Sequence, residues 1–175
     1  MAEGNAFETF AASDAAHYRT LARLWAASVT VVTVRPDDPA RPDDGFTATA
    51  FLTVSIDPPI VLVSASNASS AASMMREAGA FAVNLLARDQ RSLADAFAQP
   101  HEHRNFVWSD LPIVRDPAGV ALLAGSLGAF SATVRGFVDA GDHTLVLGDV
   151  TALHIGHPGE ALVYHDRAYG SVDPL

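Results

Sequence analysis

The sequence predicts a mainly β domain, a closed or nearly closed antiparallel barrel with helices at its periphery. Three observations lead to this fold class. Stretches rich in β-branched residues recur along the chain, polar turns separate them, and only three segments have the apolar spacing of an amphipathic helix. The 175 residues suit one domain, which we expect to span 1–175 without an internal boundary.

The first predicted elements are a helix and a set of paired strands. Residues 13–27 space their apolar side chains as an amphipathic helix does, and its buried face is expected to consist of Tyr18, Leu21, Ala22 and Trp25. Residues 28–34 form a β-branched strand, and the polar segment 35–45 closes a hairpin to the strand that follows. The two prolines at 58–59 would interrupt a central ladder, so they mark the next turn.

Two further helices and a final group of strands complete the prediction. Residues 67–79 indicate a short helix capped by Asn67, Ser69 or Ser70, and residues 81–87 a strand. A second amphipathic helix follows at 88–99, and the segment 100–119 is expected to be irregular. The last third predicts an antiparallel meander of strands at 120–124, 128–140, 143–155 and 161–165.

Composition and charge exclude several classes of function. The chain is 49% hydrophobic and only 18% charged, which indicates a compact fold that buries much surface, partly in an oligomer contact. A formal net charge of −9 gives no electrostatic basis for binding nucleic acid or an anionic membrane. Without cysteine the chain has no disulfide and no thiol mechanism, so redox chemistry needs a bound redox group. We expect a cytoplasmic protein, because no apolar run or leader indicates a membrane span or export.

The common catalytic and metal motifs are absent from the sequence. His101, Glu102 and His103 alternate in an extended loop, where their side chains point to opposite sides, and His154 and His157 fit surface positions; we therefore assign no metal. There is no G-x-S-x-G for a hydrolase, no G-x-G-x-x-G after a strand, and no lysine for a Walker motif. A nicotinamide cofactor, if one binds, binds without a Rossmann fold.

Small residues in two neighbouring stretches suggest a ligand site. In "GFTATAFLTVSIDPPIVLVSAS", the positions before the first apolar run are glycine, threonine and alanine, which allow the backbone to pack closely on other protein or on a flat ligand. "SASNASSAAS" ends a strand and opens a helix with clustered hydroxyls, which fits either a phosphate site or a helix cap that serves only its own amides. The residues alone leave both readings open.

Four stretches in order carry a resemblance to a known family: "GFTATAFLTVSIDPPIVLVSAS", "SSAASMMREAGAFAVNLLA", "GDHTLVLGDV" and "ALVYHDRAYG". They resemble the short-chain NAD(P)H:flavin reductases, the reductase components of two-component flavin-dependent monooxygenases, over about residues 18–170. The resemblance implies a split β-barrel homodimer that reduces FAD or FMN with NADH or NADPH. It also implies that diffusible reduced flavin passes to a separate monooxygenase; FAD and NADH are the favoured pair.

The resemblance also implies roles for particular residues. Those on the flavin side are Gly45, Phe46, Thr47, Thr49, Ala50, Ser64, Ala65, Ser66, Ser69, Ser70, Ala71 and Phe97. Those on the nicotinamide side are His143, Val163, Tyr164, His165, Asp166 and Tyr169. His143, at a tight turn, is the expected catalytic residue, because it can orient the nicotinamide amide or stabilise anionic reduced flavin when protonated.

Departures from the family pattern keep two alternatives open. Ala50 and Ala71 stand where relatives place hydroxyl residues, and Ser70 stands where they often place a basic residue, which would weaken flavin binding about tenfold to a hundredfold. Weak binding suits a protein that releases its flavin. The missing donors also fit a noncatalytic flavin carrier, while a barrel oxidase with tightly held FMN is the third possibility.

Overall fold

The computed structural model of the chain describes residues 7–38, 40–100, 103–104 and 108–172. Its three α-helices are α1 (Ala15–Arg23), α2 (Ala71–Ala78) and α3 (Arg91–Phe97). Its first six strands are β1 (Ala27–Ser28), β2 (Thr30–Val34), β3 (Asp44–Ala48), β4 (Phe51–Ile56), β5 (Pro59–Ser66) and β6 (Ala80–Leu85). The remaining strands are β7 (Ile113–Arg115), β8 (Ala121–Leu123), β9 (Gly128–Ala140), β10 (His143–Ile155), β11 (Val163–His165) and β12 (Ala168–Gly170).

Seven strands form one antiparallel sheet in the order β3-β2-β6-β9-β10-β5-β4. Its two edge strands, β3 and β4, are consecutive in the chain and are joined only by Thr49 and Ala50. The sheet must therefore curl until its edges approach each other. Where the edges approach, the Ser64 amide of β5 donates to the carbonyl of Ala50 in the connection at 2.9 Å. No ladder of hydrogen bonds joins β3 to β4 in the described part of the chain. The mainly β split-barrel prediction is confirmed, and the barrel stays open along this seam.

The barrel interior is filled by side chains from six strands and α2. Alternate residues of β2, β5 and β6 point inward, so that the core contains Val32, Val34, Val61, Val63, Met75, Phe81, Val83 and Val146. The Phe81 ring lies over Gly148, where a β-carbon would sit 2.5 Å from the ring. A glycine in β10 thus makes room for the largest side chain of the core.

A second cluster covers the outer face of β2. Val29 and Val31 pack there with Phe97 from α3 and with Leu123 from β8. Polar side chains fasten β8 to this face: the Asn84 amide nitrogen donates to the Val31 carbonyl at 3.0 Å, and its oxygen accepts from the Leu123 amide at 2.8 Å. Strand β2 is buried on both faces as a result, and α3 is held firmly over the edge strand β3.

The helix at the N-terminal end of the fold differs from its prediction. It begins after Asp14, whose carboxylate accepts from the Ala16 and His17 amides as an N-cap. No residue of α1 is buried, and the apolar side chains of the predicted face are strongly exposed: Tyr18 and Leu21 at 70%, and Trp25, which lies just after the helix, at 78%. The expected buried face is therefore wrong for the single chain. The apolar spacing is real, but no other element of the described chain covers it.

The other helices and the proline turn follow their predictions. Ser70 precedes α2, although its hydroxyl makes no capping bond, and Gly79 ends the helix in the left-handed conformation at φ 65°. In α3, Phe97 is buried and Leu93 packs beside it in the second cluster. Pro58 lies in the turn between β4 and β5, as expected, and Pro59 is the first residue of β5.

The C-terminal strands are only partly a meander. β9 and β10 have the predicted bounds and pair with each other. β8, however, pairs with β7, and β11 pairs with β1 and β12, so the outer strands leave the meander. β7 lies in the segment expected to be irregular, and β12 was not predicted. Both are three residues long, which is too short to produce a clear alternating pattern.

His154 is less exposed than its sequence position indicated. Its Nε2 lies 3.0 Å from the hydroxyl of buried Ser131, which donates to the Asp116 carboxylate at 2.6 Å. The other oxygen of Asp116 accepts from the Val120 amide at 2.8 Å. This chain of bonds holds the β7–β8 hairpin against β9, a structural role; His157 is exposed as expected.

None of the helices in the described part of the chain is long and apolar enough to span a membrane.

Candidate functional site

A cleft of about 670 Å³ lies along the open seam of the barrel. Residues of β3, of the Thr49–Ala50 connection and of the end of β5 form one side, and the α2 and α3 regions close the other. Most of the lining side chains are small: Ala48, Thr49, Ala50, Ser64, Ala65, Ser66, Ala68, Ser69, Ser70 and Ala71. The remaining lining residues include the larger Phe46, Met74, Phe97, Gln99, Arg104 and His143. The seam therefore has room for a flat, medium-sized molecule.

Gly45 and Thr47 of β3 contact α3, whereas Thr49 and Ala50 after β3 face the cleft. At Gly45 a β-carbon would lie 2.6 Å from the Val32 carbonyl oxygen and 3.3 Å from the Phe97 ring, so glycine lets α3 come close. The Thr47 hydroxyl donates to the Ala94 carbonyl at 2.6 Å and ties β3 to α3. Thr49 and Ala50, by contrast, line open space on both sides of the connection.

The serine-rich segment between β5 and α2 forms a tight loop at the cleft. The Ser69 hydroxyl and amide both donate to the Ser66 carbonyl, at 2.8 and 3.0 Å. The Ser70 hydroxyl makes no capping bond, and the amides of Ala72 and Ser73 have no acceptor among the described residues. Unpaired donors at the start of an eight-residue helix are suited to holding an anionic group.

His143 enters the cleft from the β9–β10 turn. Its Nδ1 lies 2.7 Å from a carboxylate oxygen of Asp142. Asn67 fastens this turn to the serine loop, because its amide groups contact the Gly141 carbonyl at 3.3 Å and the Thr144 hydroxyl at 2.7 Å. The helix-cap role predicted for Asn67 is thus replaced by a role in positioning the histidine.

The pKa of the Asp142 carboxylate reports on its hydrogen bond with His143. The hydrogen bond from His143, more than the charge of its ring, lowers the pKa of Asp142 from its ordinary value. A lowered folded-state pKa stabilises the fold above the unfolded value of about 3.9, and the contribution is lost as the pH falls through the folded value. We expect a carbon-detected NMR titration to give a subnormal pKa for Asp142 that returns to its ordinary range in His143→Ala. An ordinary pKa in the wild type would contradict the hydrogen bond.

Arg104 forms the polar end of the cleft beside Phe97. Its guanidinium donates to Asp44 at 2.6 Å, to the Gly45 carbonyl at 2.7 Å and to the Gln99 carbonyl at 3.2 Å, and only 7% of its side chain is exposed. These bonds hold the segment after α3 against the start of β3. No sequence pattern predicted a site role for Arg104, because it lies in a segment of mixed composition.

A second cavity of about 420 Å³ meets the cleft at the Thr49–Ala50 connection. Its remaining lining comes from the end of α1 and the β11–β12 hairpin: Arg19, Ala22, Arg23, Trp25, Ala27, Tyr164, Asp166 and Arg167. The Asp166 amide donates to the Arg23 carbonyl at 3.0 Å, which docks the hairpin on the helix. Thr49 and Ala50 thus separate two adjoining spaces.

The structure brings together nearly all the residues predicted on the flavin side. Eleven of the twelve line the cleft, and Gly45 lies behind it under Phe97. The nicotinamide set is divided: His143 lines the cleft, and Tyr164 and Asp166 line the second cavity. Val163, His165 and Tyr169 line neither space. Burial and nearby Asp95 raise the pKa of Tyr169, which packs edge-to-face on Tyr164 at 5.2 Å.

Metal binding has no support in the described part of the chain, where no group of three or more histidine, aspartate or glutamate side chains is placed to hold an ion. His101 and Glu102, from the histidine-rich segment, lie outside the described residues.

The curled sheet, open along a seam of small residues that leads to a loop of hydroxyl and amide donors, defines a split β-barrel protein with a ligand cleft. A model of the flavin reductase like domain matches residues 22–173. The chain belongs to the flavin reductase-like domain family.

Individual relatives agree with this assignment. The chain is similar to an NADH-dependent flavin reductase of Rhodococcus sp., with 36% identity over 91% of this chain and 87% of the relative. It is 38% identical to a probable flavin reductase of Rhizobium meliloti over 73% of this chain but only 40% of that protein. Among solved structures, it is similar to BorF, the flavin reductase component of a bacterial two-component tryptophan halogenase, with a TM-score of 0.83, 30% identity and coverage of 93% and 100%.

Proposed function

We propose that this protein uses NADH or NADPH to reduce free FAD or FMN and releases the reduced flavin to a separate monooxygenase. The observation that carries the proposal is the seam cleft of about 670 Å³, whose walls are built from small residues where two sheet edges meet. FAD and NADH are the proposed pair. The description of BorF as one component of a two-component system supports a separate acceptor protein.

The cleft suits a flavin on chemical grounds. Thr49, Ala50 and Ala65 leave a gap for a planar ring system without a bulky side chain in the way. The Ser70 hydroxyl and the amides of Ala72 and Ser73 are free donors for the phosphate. Because the protein has no fixed cation at this loop, binding relies on neutral donors, and neutral hydrogen bonds are weaker than charge-assisted ones. Modest affinity of this kind fits a flavin that leaves after reduction.

The side chains supply positioning more than proton transfer. A bound flavin supplies the hydride acceptor, and direct transfer from a nicotinamide needs close stacking of two rings. Asp142 holds Nδ1 of His143 at 2.7 Å, which leaves Nε2 for a ligand in the cleft. The neutral ring then presents an acceptor at Nε2, and the protonated ring a donor that favours an anionic product.

A spectrophotometric assay tests the proposal. Pure protein, NADH or NADPH, and FAD or FMN in air are expected to give a flavin-dependent loss of nicotinamide absorbance. If flavin binds but neither nicotinamide is consumed, the protein is a carrier and the proposal fails. If the protein purifies with flavin that gel filtration does not remove, the tight-FMN oxidase is favoured.

Substitutions on the two sides of the cleft are expected to separate the roles of their residues. His143→Ala should lower kcat/KM for the nicotinamide about tenfold, while the KM for flavin changes little. Ser69→Ala combined with Ser70→Ala should instead raise the flavin Kd about tenfold, because it removes the free Ser70 hydroxyl and the Ser69 bond to the Ser66 carbonyl that shapes the loop. Steady-state kinetics and flavin titration measure the two effects. His157→Ala and Ser92→Ala are the controls, because both residues are exposed and neither lines the cleft; equal effects on both ligands would contradict the division.

A homodimer is also part of the proposal. The uncovered apolar face of α1 contains Tyr18, Leu21, Leu24 and Trp25. Exposed apolar area of this kind is characteristic of subunit contacts. Light scattering at micromolar concentration is expected to give twice the chain mass.

A further inference from the structure

Two consecutive carboxylates fasten the start of the edge strand β3 to different parts of the fold. The Asp43 carboxylate accepts from Arg115 of β7 at 2.6 Å, and the Asp44 carboxylate accepts from Arg104 at 2.6 Å. Of the two side chains, Asp43 is 6% and Asp44 is 16% exposed. Arg104 lines the seam cleft, and Arg115 does not. The ion pair of Arg104 therefore lies in the wall of the proposed flavin site.

The Arg104 guanidinium joins the start of β3 to the residues that follow α3. Its Nη1 donates to Asp44, its Nη2 to the Gly45 carbonyl at 2.7 Å, and its Nε to the Gln99 carbonyl at 3.2 Å. Asp44 also accepts from the Gly45 amide at 2.7 Å, so the carboxylate positions both the strand and the arginine. A planar guanidinium makes these three bonds together, whereas the single ammonium of a lysine cannot.

Phe97 is the side chain that this bridge holds in place. Its ring packs on Gly45, whose backbone Arg104 fixes, and the guanidinium carbon lies 5.4 Å from the ring centroid. Phe97 and residues 98–100 line the cleft. Because Gly45 and Gln99 are both bound to one guanidinium, the distance between β3 and this wall depends on Arg104.

We propose that Arg104 is a positioning residue for flavin, which acts by fixing the Phe97 wall of the cleft and not by contacting phosphate. The inference rests on the proposed function, since it concerns the flavin of that reaction. A wall held in place before the ligand arrives lowers the ordering cost of binding. The donors proposed for the phosphate lie at the serine loop, and the three bonds of Arg104 go elsewhere. Its effect therefore falls on the ring and ribityl chain, which riboflavin shares with FMN.

The first test compares a flavin that has a phosphate with one that lacks it. Arg104→Gln is expected to raise the Kd of riboflavin and of FMN by the same factor, about tenfold, because the wall loosens around the part that both contain. Quenching of flavin fluorescence measures both constants without nicotinamide. Arg104→Lys should recover little affinity, because it keeps the charge but not the three bonds. Weakened FMN binding with riboflavin unchanged, or full recovery in Arg104→Lys, would make Arg104 a phosphate contact and overturn the proposal.

A matched control separates positioning from loss of stability. Arg115→Gln breaks the neighbouring ion pair, which has the same length and a more deeply buried carboxylate but lies outside the cleft lining. Both substitutions leave a buried carboxylate without its arginine, so both should lower the midpoint of urea unfolding. Arg115→Gln is expected to change neither flavin Kd by more than about twofold. An equal rise in Kd from both variants would mean that binding follows the stability of β3, and the proposal would fail.

Steady-state kinetics provide a second measurement that a general loss of stability does not reproduce. With riboflavin as the flavin, Arg104→Gln should raise the KM for riboflavin about tenfold and change kcat less than about twofold, because saturating flavin fills the loosened site. A lowered kcat with an unchanged KM would place Arg104 in the hydride-transfer step and contradict a role in binding.

The outcomes also distinguish this inference from the proposed function. If the wild type binds riboflavin but consumes neither nicotinamide, the proposed function fails, and the Kd values still decide the role of Arg104. If the wild type shows turnover and Arg104→Gln binds riboflavin as tightly, the inference alone fails. If Arg104→Gln does not fold, Asp44→Asn weakens the same bridge while keeping the shape of the side chain. That variant is expected to raise the riboflavin Kd about threefold, and an unchanged Kd would overturn the proposal.

Discussion

Ala50→Phe is expected to abolish flavin reduction at ordinary flavin concentrations. Ala50 lies at the connection between the two edge strands, where it lines both the cleft and the second cavity. A phenyl ring at this position occupies the space into which a flat ligand must fit, and the rigid strand ends leave it little room to move aside. We expect flavin binding to weaken at least a hundredfold, or about 3 kcal/mol. Flavin titration by fluorescence quenching measures the effect.

The control places the same change outside both spaces. Ala118 is exposed in the turn between β7 and β8 and lines neither the cleft nor the second cavity. Ala118→Phe should keep wild-type flavin affinity. If Ala50→Phe binds flavin as tightly as Ala118→Phe does, the seam is not the flavin site.

Phe81→Ala is expected to give the largest loss of stability of any single truncation in the barrel. The ring is fully buried in the main core and lies over Gly148, so no neighbouring side chain can fill the cavity that it leaves. Removing a buried phenylalanine ring costs about 3–5 kcal/mol, a large part of the roughly 5–15 kcal/mol that holds a domain folded. Urea unfolding followed by circular dichroism gives the change in the free energy of unfolding.

A matched truncation checks that burial is the cause. Phe7 is 99% exposed, and Phe7→Ala should change the free energy of unfolding by less than about 0.5 kcal/mol. A loss below about 1 kcal/mol for Phe81→Ala would mean that the surrounding strands collapse into the space, contrary to the close packing of this core.

The sequence was most informative where a pattern is long and locally determined. β9 and β10 are thirteen residues each, and their β-branched runs meet at a Gly141–Asp142 turn, so their bounds were predictable. Gly79 ended α2 as expected, because a left-handed cap favours glycine. Periodicity failed for α1, since spacing shows that a helix has an apolar face but not that another element of the same chain covers it.

The binding site was predictable only through resemblance to known proteins. Small residues around Thr49 indicated a close approach of some kind, and packing under Phe97 at Gly45 shows that part of that signal came from the protein itself. The second cavity had no local signal, because its lining residues Arg19 and Arg167 are far apart in the chain and come to the same cavity only when the β11–β12 hairpin docks on α1. The role of Asn67 was hidden for the same reason: its partners lie more than seventy residues away, at Gly141 and Thr144.

The two-residue link between β3 and β4 limits how this protein can be re-engineered. Thr49 and Ala50 form a partition shared by two compartments, so a substitution there reshapes both cavities at once. A change confined to one cavity must therefore be made away from the partition, at the serine loop on one side or at the end of α1 and the β11–β12 hairpin on the other.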